Sequence, residues 1–293
     1  MAAAPVRDQR FLKPGRGNRH SRRMILLFTD FGRAGFYVGQ MKAALVRTAP
    51  EVPVIDLMHD APRFDARAAA YLLAALAGDM AEGTVCLAVV DPGVGGDRPP
   101  VVVAADGRWF VGPGAGLFEI VQRRAARARQ WVIAWRPERL SDSFHGRDLF
   151  APVGGHLAAG TPFSDVGPVI GDWIRLEALE RRKEPGLLSG VVTAIDEPFG
   201  NVWTNLPDGW LRALPASFGV TLEIKFLVGE SVAAGPFRLA LRKTFGEVPE
   251  GKPLVYVNSR GMLSLARNQA DFARTHKIQP GMRVEIRLAG QRE

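Results

Sequence analysis

Short apolar runs alternate with helix-like segments from Met24 onward, and this alternation constrains the fold more than any other feature. Ile25–Thr29 and residues 84–90 are apolar runs that predict buried strands. The segments predicted to be helical are 36–47, 65–80, 117–127 and 147–159. Repeated strand, helix, strand units of this kind favour an α/β fold, a mostly parallel sheet with flanking helices. Ligands of such sheets bind beyond the carboxyl ends of the strands.

The composition changes in the second half of the chain. Residues 177–185 are charged and end in proline, which is typical of a linker, and the sequence beyond them is rich in β-type runs separated by Gly and Pro. We therefore predict an α/β domain over residues 24–180 and a smaller, all-β, barrel-like domain over residues 187–293. The predicted strands of the second domain are 190–195, 220–228, 237–241, 254–257 and 283–288.

The net charge of +8 is concentrated at the start of the chain. Residues 1–23 carry seven Lys and Arg against one acid, which predicts a basic disordered tail and leaves the remainder nearly neutral. That balance argues against a nucleic-acid partner, although binding through the tail remains an alternative. No apolar run approaches the roughly 18 residues of a membrane-spanning helix, and a lone cysteine, Cys86, suits a cytoplasmic protein.

Polar residues at the ends of the predicted strands are the first candidates for a site. Asp30 follows the first strand, and Asp91 follows the strand over 84–90. His145 lies in a dense polar segment just before a predicted helix, where groups can be held against a ligand. Together with His59, these side chains could also ligate a hard divalent metal, so a metal-dependent hydrolase is one alternative.

Two segments of the second predicted domain are further candidates. Residues 196–205 mix a carboxylate, amides and aromatic rings around a turn, and hydrogen bonding within that turn explains them equally well. Residues 258–261 also form a turn by default, but Arg260 could bind a carboxylate through its planar fork.

Five segments, taken in order, resemble the S-adenosylmethionine hydroxide adenosyltransferases, relatives of fluorinase and chlorinase. The resemblance runs from about Met24 to the C-terminus. It implies a homotrimer of two-domain subunits, with active sites between the α/β domain of one subunit and the β domain of its neighbour. The implied reaction is hydrolysis of S-adenosylmethionine to adenosine and methionine, with no metal or other cofactor. The matching segments are 29–32, 90–95, 144–148, 198–201 and 258–261.

The hydrolytic and halogenating branches of this family differ at positions that can be identified in the sequence. By the resemblance, halogenases carry tyrosine where Asp91 stands and an extra loop near residues 101–111, which is absent here. Arg98 and His145 complete what resembles the water-activating triad of the hydrolases, with Asp91 or His145 as the proton acceptor. A halogenase, in particular a chlorinase, remains the alternative within the family.

The resemblance also implies a role for each substrate-binding residue. Asp30 would accept bonds from the ribose hydroxyls, Asp196 would pair with the ammonium, and Ser259 with Arg260 would bind the carboxylate.

The remaining assigned residues would surround the adenine and the reacting carbon. The amide of Asn201 would bind the adenine edge, and the rings of Trp203 and Phe245 would stack on its two faces. The rings of Phe64 and Phe144 would exclude water from the reaction centre.

Overall fold

The chain divides into two compact units, residues 1–176 and 177–293. The computed structural model describes residues 23–160, 181–214 and 216–290, together with the backbone of residues 166–169. The predicted basic tail, apart from Arg23, and the first part of the predicted linker lie outside the described residues.

The first unit contains a seven-stranded sheet and helices. Its strands lie in the order β2-β1-β3-β5-β4-β6-β7. The pairs among β2, β1, β3 and β5 are parallel, whereas β4 pairs antiparallel with both of its neighbours and β7 pairs antiparallel with β6. The strands are β1 (Ile25–Thr29), β2 (Val54–Met58), β3 (Val85–Val89), β4 (Pro100–Ala105), β5 (Arg108–Pro113), β6 (Ala128–Ile133) and β7 (Val166–Val169).

The helices of this unit largely match the predicted periodic segments. Asp65 caps α2 by accepting the N–H of Ala68 at 2.9 Å, as its position before the apolar repeat predicts. The helix predicted over 117–127 is shorter, because the Asp106 carboxylate binds the N–H groups of Ala126 and Arg127. The helices are α1 (Tyr37–Thr48), α2 (Ala66–Ala77), α3 (Glu119–Arg124) and α4 (Ala151–Ala159).

The helix predicted over 147–159 begins as a wide π-helical turn, Gly146–Phe150, before α4. Pro152 has no N–H to donate to the carbonyl four residues earlier, which fits a local departure from α geometry at this point. The turn follows His145 directly, so the irregular backbone lies beside a candidate site residue.

The second unit is built on one curled sheet in which every strand pair is antiparallel. The order is β12-β11-β15-β9-β10-β14-β13, with β8 added beside β9, and a bridge from Leu241 to Val255 connects the two ends. The predicted fold class is confirmed. The elements are β8 (Arg182–Glu184), β9 (Leu187–Asp196), β10 (Asn201–Pro207), β11 (Thr221–Val228), β12 (Ser231–Ala240), β13 (Pro253–Val257), β14 (Met262–Arg267), α5 (Phe272–His276) and β15 (Arg283–Leu288).

Each unit has its own apolar core. Strands β1 and β3 are buried along their whole length, and their side chains pack against α1 and α4 in the first unit. Aliphatic and aromatic residues of the curled sheet form the second core around Phe226 and Phe272. None of the helices in the described part of the chain is long and apolar enough to cross a bilayer.

Candidate active site

An ion pair between Asp91 and Arg98 lies at the carboxyl end of β3. Arg98 Nε donates to both carboxylate oxygens, at 2.9 and 3.1 Å, and Nη2 donates to Oδ2 as well. Both side chains are at least nine-tenths buried, with exposed fractions of 5% for Asp91 and 8% for Arg98. A buried guanidinium that donates to a carboxylate through two nitrogens fixes the orientation of that carboxylate. A fixed orientation suits a carboxylate that contacts a reacting atom.

His145 extends this ion pair into a three-residue cluster. Arg98 Nη2 lies 2.8 Å from His145 Nδ1. Because a guanidinium only donates, Nδ1 must accept, and the imidazole is therefore neutral with its proton on Nε2. Burial and the charge of Arg98 both lower the pKa of His145 below its usual value. The resulting cluster offers a carboxylate with spare acceptor capacity and an imidazole N–H donor.

The loop between Asp91 and Arg98 is held against the segment that carries His145. Val94 donates its N–H to the Asp91 carbonyl at 3.3 Å, which closes a turn directly after Asp91. Gly95 has φ +79° and lies so close to the Asp142 carbonyl that a Cβ there would approach its oxygen to 2.7 Å. Glycine is therefore required at this position, both for the backbone angle and for the close approach.

Neighbouring charged groups hold the His145 segment itself. The Arg147 guanidinium forms a fork with the Asp148 carboxylate, stacks over the Phe144 ring at 5.3 Å and donates to Gln40 on α1. Asp148 in turn accepts the N–H of Ser141 at 3.0 Å. The Arg147 fork lowers the pKa of Asp148. The charges of Arg147 and Asp148 therefore compensate each other, and their contacts hold the backbone around His145 in place.

Asp30 lies at the end of β1, on the same edge of the sheet. One carboxylate oxygen accepts the N–H of Phe64 at 3.1 Å. Burial raises the pKa of Asp30, although the Phe64 N–H and the charge of Arg63 oppose that rise. Phe64 adopts φ +58° and exposes 77% of its side chain, a strained backbone for a bulky residue and an unusual exposure for an aromatic ring.

Aromatic rings line this edge of the first unit. The buried Phe144 ring packs edge-on against Tyr37 and Phe31, with ring centroids 5.1 and 5.9 Å apart. Phe36 packs on Tyr37 and exposes 65% of its side chain. Phe144 was a sequence candidate, whereas Phe31 and Tyr37 were not, because nothing in their spacing separates them from core residues.

The four residues considered as metal ligands do not form a metal cluster. In the described ranges, no group of three or more His, Cys, Asp or Glu side chains is arranged to hold an ion. His145 instead contacts Arg98, and His59 contacts Thr29 and Asp56.

In the second unit, Asp196 and Asn201 face each other across the start of a hairpin between β9 and β10. They are paired in the strand register, and Asn201 Nδ2 donates to Asp196 Oδ2 at 2.9 Å. Gly200, with φ +70°, lies where a Cβ would overlap the Asp271 carboxylate. Close packing of the turn therefore fixes both polar side chains.

Trp203, Tyr256 and Phe245 lie close together beside this hairpin. Ser264 pairs in the strand register with Trp203 on one side and with Tyr256 on the other, and burial raises the pKa of Tyr256 to about 12. The Phe245 ring packs on Tyr256 at 4.9 Å and is 37% exposed. The sequence identified Trp203 and Phe245 but missed Tyr256, which a strand pattern alone cannot distinguish from core.

The turn that carries Ser259 and Arg260 is built by Asn258. Its side-chain oxygen accepts the N–H groups of Arg260 and Met262, at 2.8 and 3.1 Å. Its amide nitrogen donates to Ser264 Oγ at 3.0 Å. Because Ser264 pairs in register with both Trp203 and Tyr256, this hydrogen bond connects the turn with the strands that carry those two residues.

The chain matches both domain profiles of one protein family. Residues 25–167 match the SAM hydroxide adenosyltransferase N-terminal domain, and residues 190–285 match the C-terminal domain of the same family. The chain belongs to the SAM hydroxide adenosyltransferase family. The resemblance inferred from five short segments is therefore confirmed.

Relatives in this family include hydrolases and fluorinases. The chain is 38% identical to the (R)-S-adenosyl-L-methionine hydrolase of Thermus thermophilus, over 90% of this chain and 99% of that protein. It is 32% identical to the fluorinase of Actinopolyspora mzabensis, over 91% and 98%. The crystal structure of an uncharacterized conserved protein from Thermotoga maritima superposes with a TM-score of 0.82 at 33% identity, covering 90% of this chain and 99% of that one.

The residues that the family resemblance assigned fall into two groups. Asp91, Arg98 and His145 are in contact in the first unit, and Asp30, Phe64 and Phe144 belong to the same unit. The second unit contains the other six, where Asp196 contacts Asn201. These six are Asp196, Asn201, Trp203, Phe245, Ser259 and Arg260.

Proposed function

We propose that this family member hydrolyses S-adenosyl-L-methionine to adenosine and L-methionine, with Asp91, Arg98 and His145 as the catalytic residues. The observation that carries the proposal is the hydrogen-bonded cluster of these three side chains, at the end of a buried strand. Two relatives named (R)-S-adenosyl-L-methionine hydrolase, which are 38% and 34% identical to the chain, support the same reaction.

The difficult part of this reaction is the activation of the nucleophile, water. Water attacks the 5′ carbon, the C5′–S bond breaks, and the bonding electrons return to the sulfonium, which leaves as the neutral thioether of methionine. No acid is needed for this leaving group. Neutral water is a poor nucleophile, so a base must receive its proton as the new C–O bond forms.

Asp91 is the better proton acceptor of the two candidates. His145 Nδ1 is already occupied by the Arg98 donor, and Nε2 carries the imidazole proton. A carboxylate has about four lone-pair positions, of which Arg98 uses only part, so Asp91 can accept a further bond from water. In this assignment His145 donates through Nε2 to orient the water, and Arg98 stabilises the developing negative charge.

Substrate recognition follows the chemistry of the remaining residues. An ionised Asp30 accepts from the ribose hydroxyls, and Asp196 pairs with the ammonium of the methionine part. Ser259 and Arg260 bind its carboxylate, and Asn201 meets the adenine. Trp203 and Phe245 stack on the base, and Phe64 with Phe144 excludes water from the reacting carbon.

The assembly and its setting are also part of the proposal. The two groups of site residues lie on different compact units, which fits active sites shared between neighbouring subunits of a homotrimer. Large aromatic side chains are exposed on both units, with Phe64 on the first and Phe199 on the second, and exposed apolar surface is typical of interaction sites. We propose a cytoplasmic enzyme that needs no metal and binds no nucleic acid.

A halogenase is the second candidate, because fluorinases are among the relatives. By the family resemblance, Gly146 aligns with a serine that contacts the halide in fluorinase. Glycine offers no hydroxyl for this contact, and a Cβ at Gly146 would approach the Phe144 ring to 3.1 Å and the Met41 sulfur to 3.3 Å. The Asp91 carboxylate would also repel an incoming anion. Both features favour water over halide.

One incubation tests these alternatives together. The purified chain is mixed with S-adenosylmethionine in buffers containing chloride, fluoride or neither, with and without a metal chelator, and products are separated by chromatography. We expect adenosine and methionine in equal amounts under every condition. Formation of 5′-chloro- or 5′-fluoro-5′-deoxyadenosine would replace the hydrolase assignment, and loss of turnover on chelation would favour a metal-dependent hydrolase.

A further inference from the structure

His59 is a buried, polar side chain that the proposed chemistry does not use. It follows β2, exposes only 5% of its surface and lies beside the end of β1. His59 Nδ1 is 2.9 Å from Thr29 Oγ1, and His59 Nε2 is 3.0 Å from Asp56 Oδ1. Burying an imidazole between two polar partners has a desolvation cost, so the arrangement calls for a reason beyond packing.

An irregularity in the strand pairing brings these three residues together. Leu27 pairs with Asp56, but the next residue, Phe28, pairs with Met58, so β2 carries one extra residue at Leu57. In a regular strand, residues three apart point to opposite faces. The extra residue lets Asp56 and His59 meet, and such bulges commonly redirect side chains next to active sites.

Polar groups lie beside both ring nitrogens of His59. The Phe31 N–H lies 3.4 Å from Thr29 Oγ1, so this oxygen accepts there, and the Thr29 hydroxyl can donate to His59 Nδ1. His59 Nε2 lies 3.0 Å from Asp56 Oδ1, and the other oxygen of Asp56 accepts from Lys42 at 2.7 Å. The Thr29 hydroxyl therefore connects the His59 side chain with the backbone that follows Asp30.

The same residues join the two loops that surround Asp30. Gly32 donates its N–H to the His59 carbonyl at 2.7 Å, and Ala61 donates to the Thr29 carbonyl at 3.1 Å. Asp30 lies between these two connections, and its carboxylate accepts the Phe64 N–H from the same loop. His59 is therefore hydrogen-bonded to the chain before and after Asp30, through its side chain to Thr29 and through its carbonyl to Gly32.

We propose that His59 is a positioning residue that acts through the Thr29 hydroxyl to hold the Asp30 carboxylate in the orientation that selects a ribose bearing free hydroxyls. The inference rests on the proposed function, because it takes Asp30 as the acceptor for the ribose. It leaves Asp91, Arg98 and His145 untouched, so it concerns binding and not the chemical step.

The test compares affinities for adenosine and 2′,3′-dideoxyadenosine by calorimetry in wild type, Thr29→Val and Thr29→Ser. Valine matches threonine in shape but lacks the hydroxyl, whereas serine keeps it. We expect wild type and Thr29→Ser to bind adenosine more tightly than 2′,3′-dideoxyadenosine. In Thr29→Val the ratio of the two affinities should fall by about tenfold, which corresponds to the loss of one hydrogen bond to a charged group. His59→Leu should behave like Thr29→Val, and His59→Asn should keep part of the preference.

Turnover of S-adenosylmethionine supplies a second readout. Thr29→Val should raise KM by about tenfold and change kcat by no more than about threefold, because the residues at the reacting carbon are unaltered. Glu119→Gln changes a buried polar side chain of α3 and serves as a control for non-specific destabilisation of the fold. This variant should keep the preference for adenosine over 2′,3′-dideoxyadenosine.

The outcomes separate this inference from the proposed function. If wild type prefers adenosine and Thr29→Val keeps that preference, or loses kcat alone, His59 has no positioning role. If wild type prefers adenosine but releases none from S-adenosylmethionine, the hydrolase assignment fails and the affinities still decide the role of His59. If wild type shows no preference between the two nucleosides, Asp30 is not the ribose acceptor and the positioning role of His59 fails, whereas adenosine release still decides the hydrolase assignment.

Discussion

Arg98 is the residue on which the protonation of the site depends. A guanidinium keeps its protons at any ordinary pH, so every group that it contacts must accept. Asp91 and His145 both accept from it, and this defines the imidazole tautomer without reference to a substrate. The same contact explains why a histidine beside a carboxylate has a lowered pKa, since burial and the Arg98 charge act in the same direction.

Replacing Asp91 tests the assignment of the base. Asp91→Asn keeps the shape of the side chain but removes the proton acceptor, so we expect kcat to fall by about two orders of magnitude or more. Adenosine affinity, measured by calorimetry, should change by less than about threefold. Asp97→Asn alters an exposed carboxylate in the same loop and should leave turnover unchanged. Wild-type turnover by Asp91→Asn would remove Asp91 from the mechanism.

The lowered pKa of His145 predicts a pH dependence. When His145 is protonated, Nδ1 no longer accepts from Arg98 and the two cations repel each other, so activity should fall. Because burial lowers its pKa, kcat/KM should stay level near neutrality and decline only below the ordinary value of 6.5. Stability should decline over the same range, since the unfolded chain takes up the proton at higher pH than the folded one.

A variant without the imidazole checks the source of this decline. His145→Asn should be slower at neutral pH, and its remaining kcat/KM should no longer show the inflection below 6.5. An unchanged inflection in His145→Asn would mean that another group, such as the buried Asp30, controls the acid side of the profile.

At the scale of single residues, the sequence identified polar groups more readily than their contacts. Asp91 and His145 are separated by 54 positions, and only the fold shows that Arg98 reaches both. Tyr256 was not recognised, because a lone tyrosine in a strand pattern is usually structural, and His59 was considered only as a metal ligand. Their neighbours are visible only in the fold, where Tyr256 contacts the Phe245 ring and His59 contacts the Thr29 hydroxyl.

Among the elements, the loop from Asp91 to Arg98 has the strictest geometric requirement. It must bring a carboxylate and a guanidinium seven residues apart into contact while packing on the Asp142 carbonyl. The glycines of this loop were not distinguishable in the sequence from those of an ordinary tight turn. The structure separates them, because only Gly95 combines a positive φ with a close backbone neighbour.

Two alanine substitutions in this loop should therefore differ. Gly95→Ala introduces φ strain and a clash with the Asp142 oxygen, so we expect a loss of at least about 1 kcal/mol in the free energy of unfolding, together with reduced kcat. Gly93→Ala places its Cβ at an ordinary 3.6 Å from Arg98 Cγ and should be tolerated. Chemical denaturation with parallel turnover measurements compares them. Equal effects of the two would contradict the packing argument.

Strands made of continuous apolar runs were predictable, and irregular strands were not. The apolar runs that became β1 and β3 matched to within one residue at each end. Strand β10 was interpreted as a turn, because a register shift between Trp203 and Thr204 breaks its alternation. Strand β14 was missed because its Ser and Ala have weak strand preference, and pairing with β13 and β10 compensates for this.

At the scale of the whole molecule, the residues assigned to one substrate belong to two compact units. The proposed proton acceptor and ribose acceptor lie in residues 1–176, and the groups assigned to adenine and the methionine part lie in residues 177–293. Each unit has its own core, so a substitution at an assigned residue of one unit should leave the core of the other unit unchanged. The proposed trimer makes this separation testable, because one site would then take its halves from different subunits.

Mixing two inactive variants should restore activity if neighbouring subunits share each site. Asp91→Asn inactivates the first half and Arg260→Ala the second, so every trimer that contains both variants has one of its three sites without either substitution. We expect turnover to recover toward about one third of the wild-type value when differently tagged variants are co-expressed and purified through both tags. Asp91→Asn mixed with His145→Asn provides the control, because both changes affect the same half and no site can recover. A mixture of Asp91→Asn and Arg260→Ala that stays as inactive as its components would show that each subunit builds its site alone.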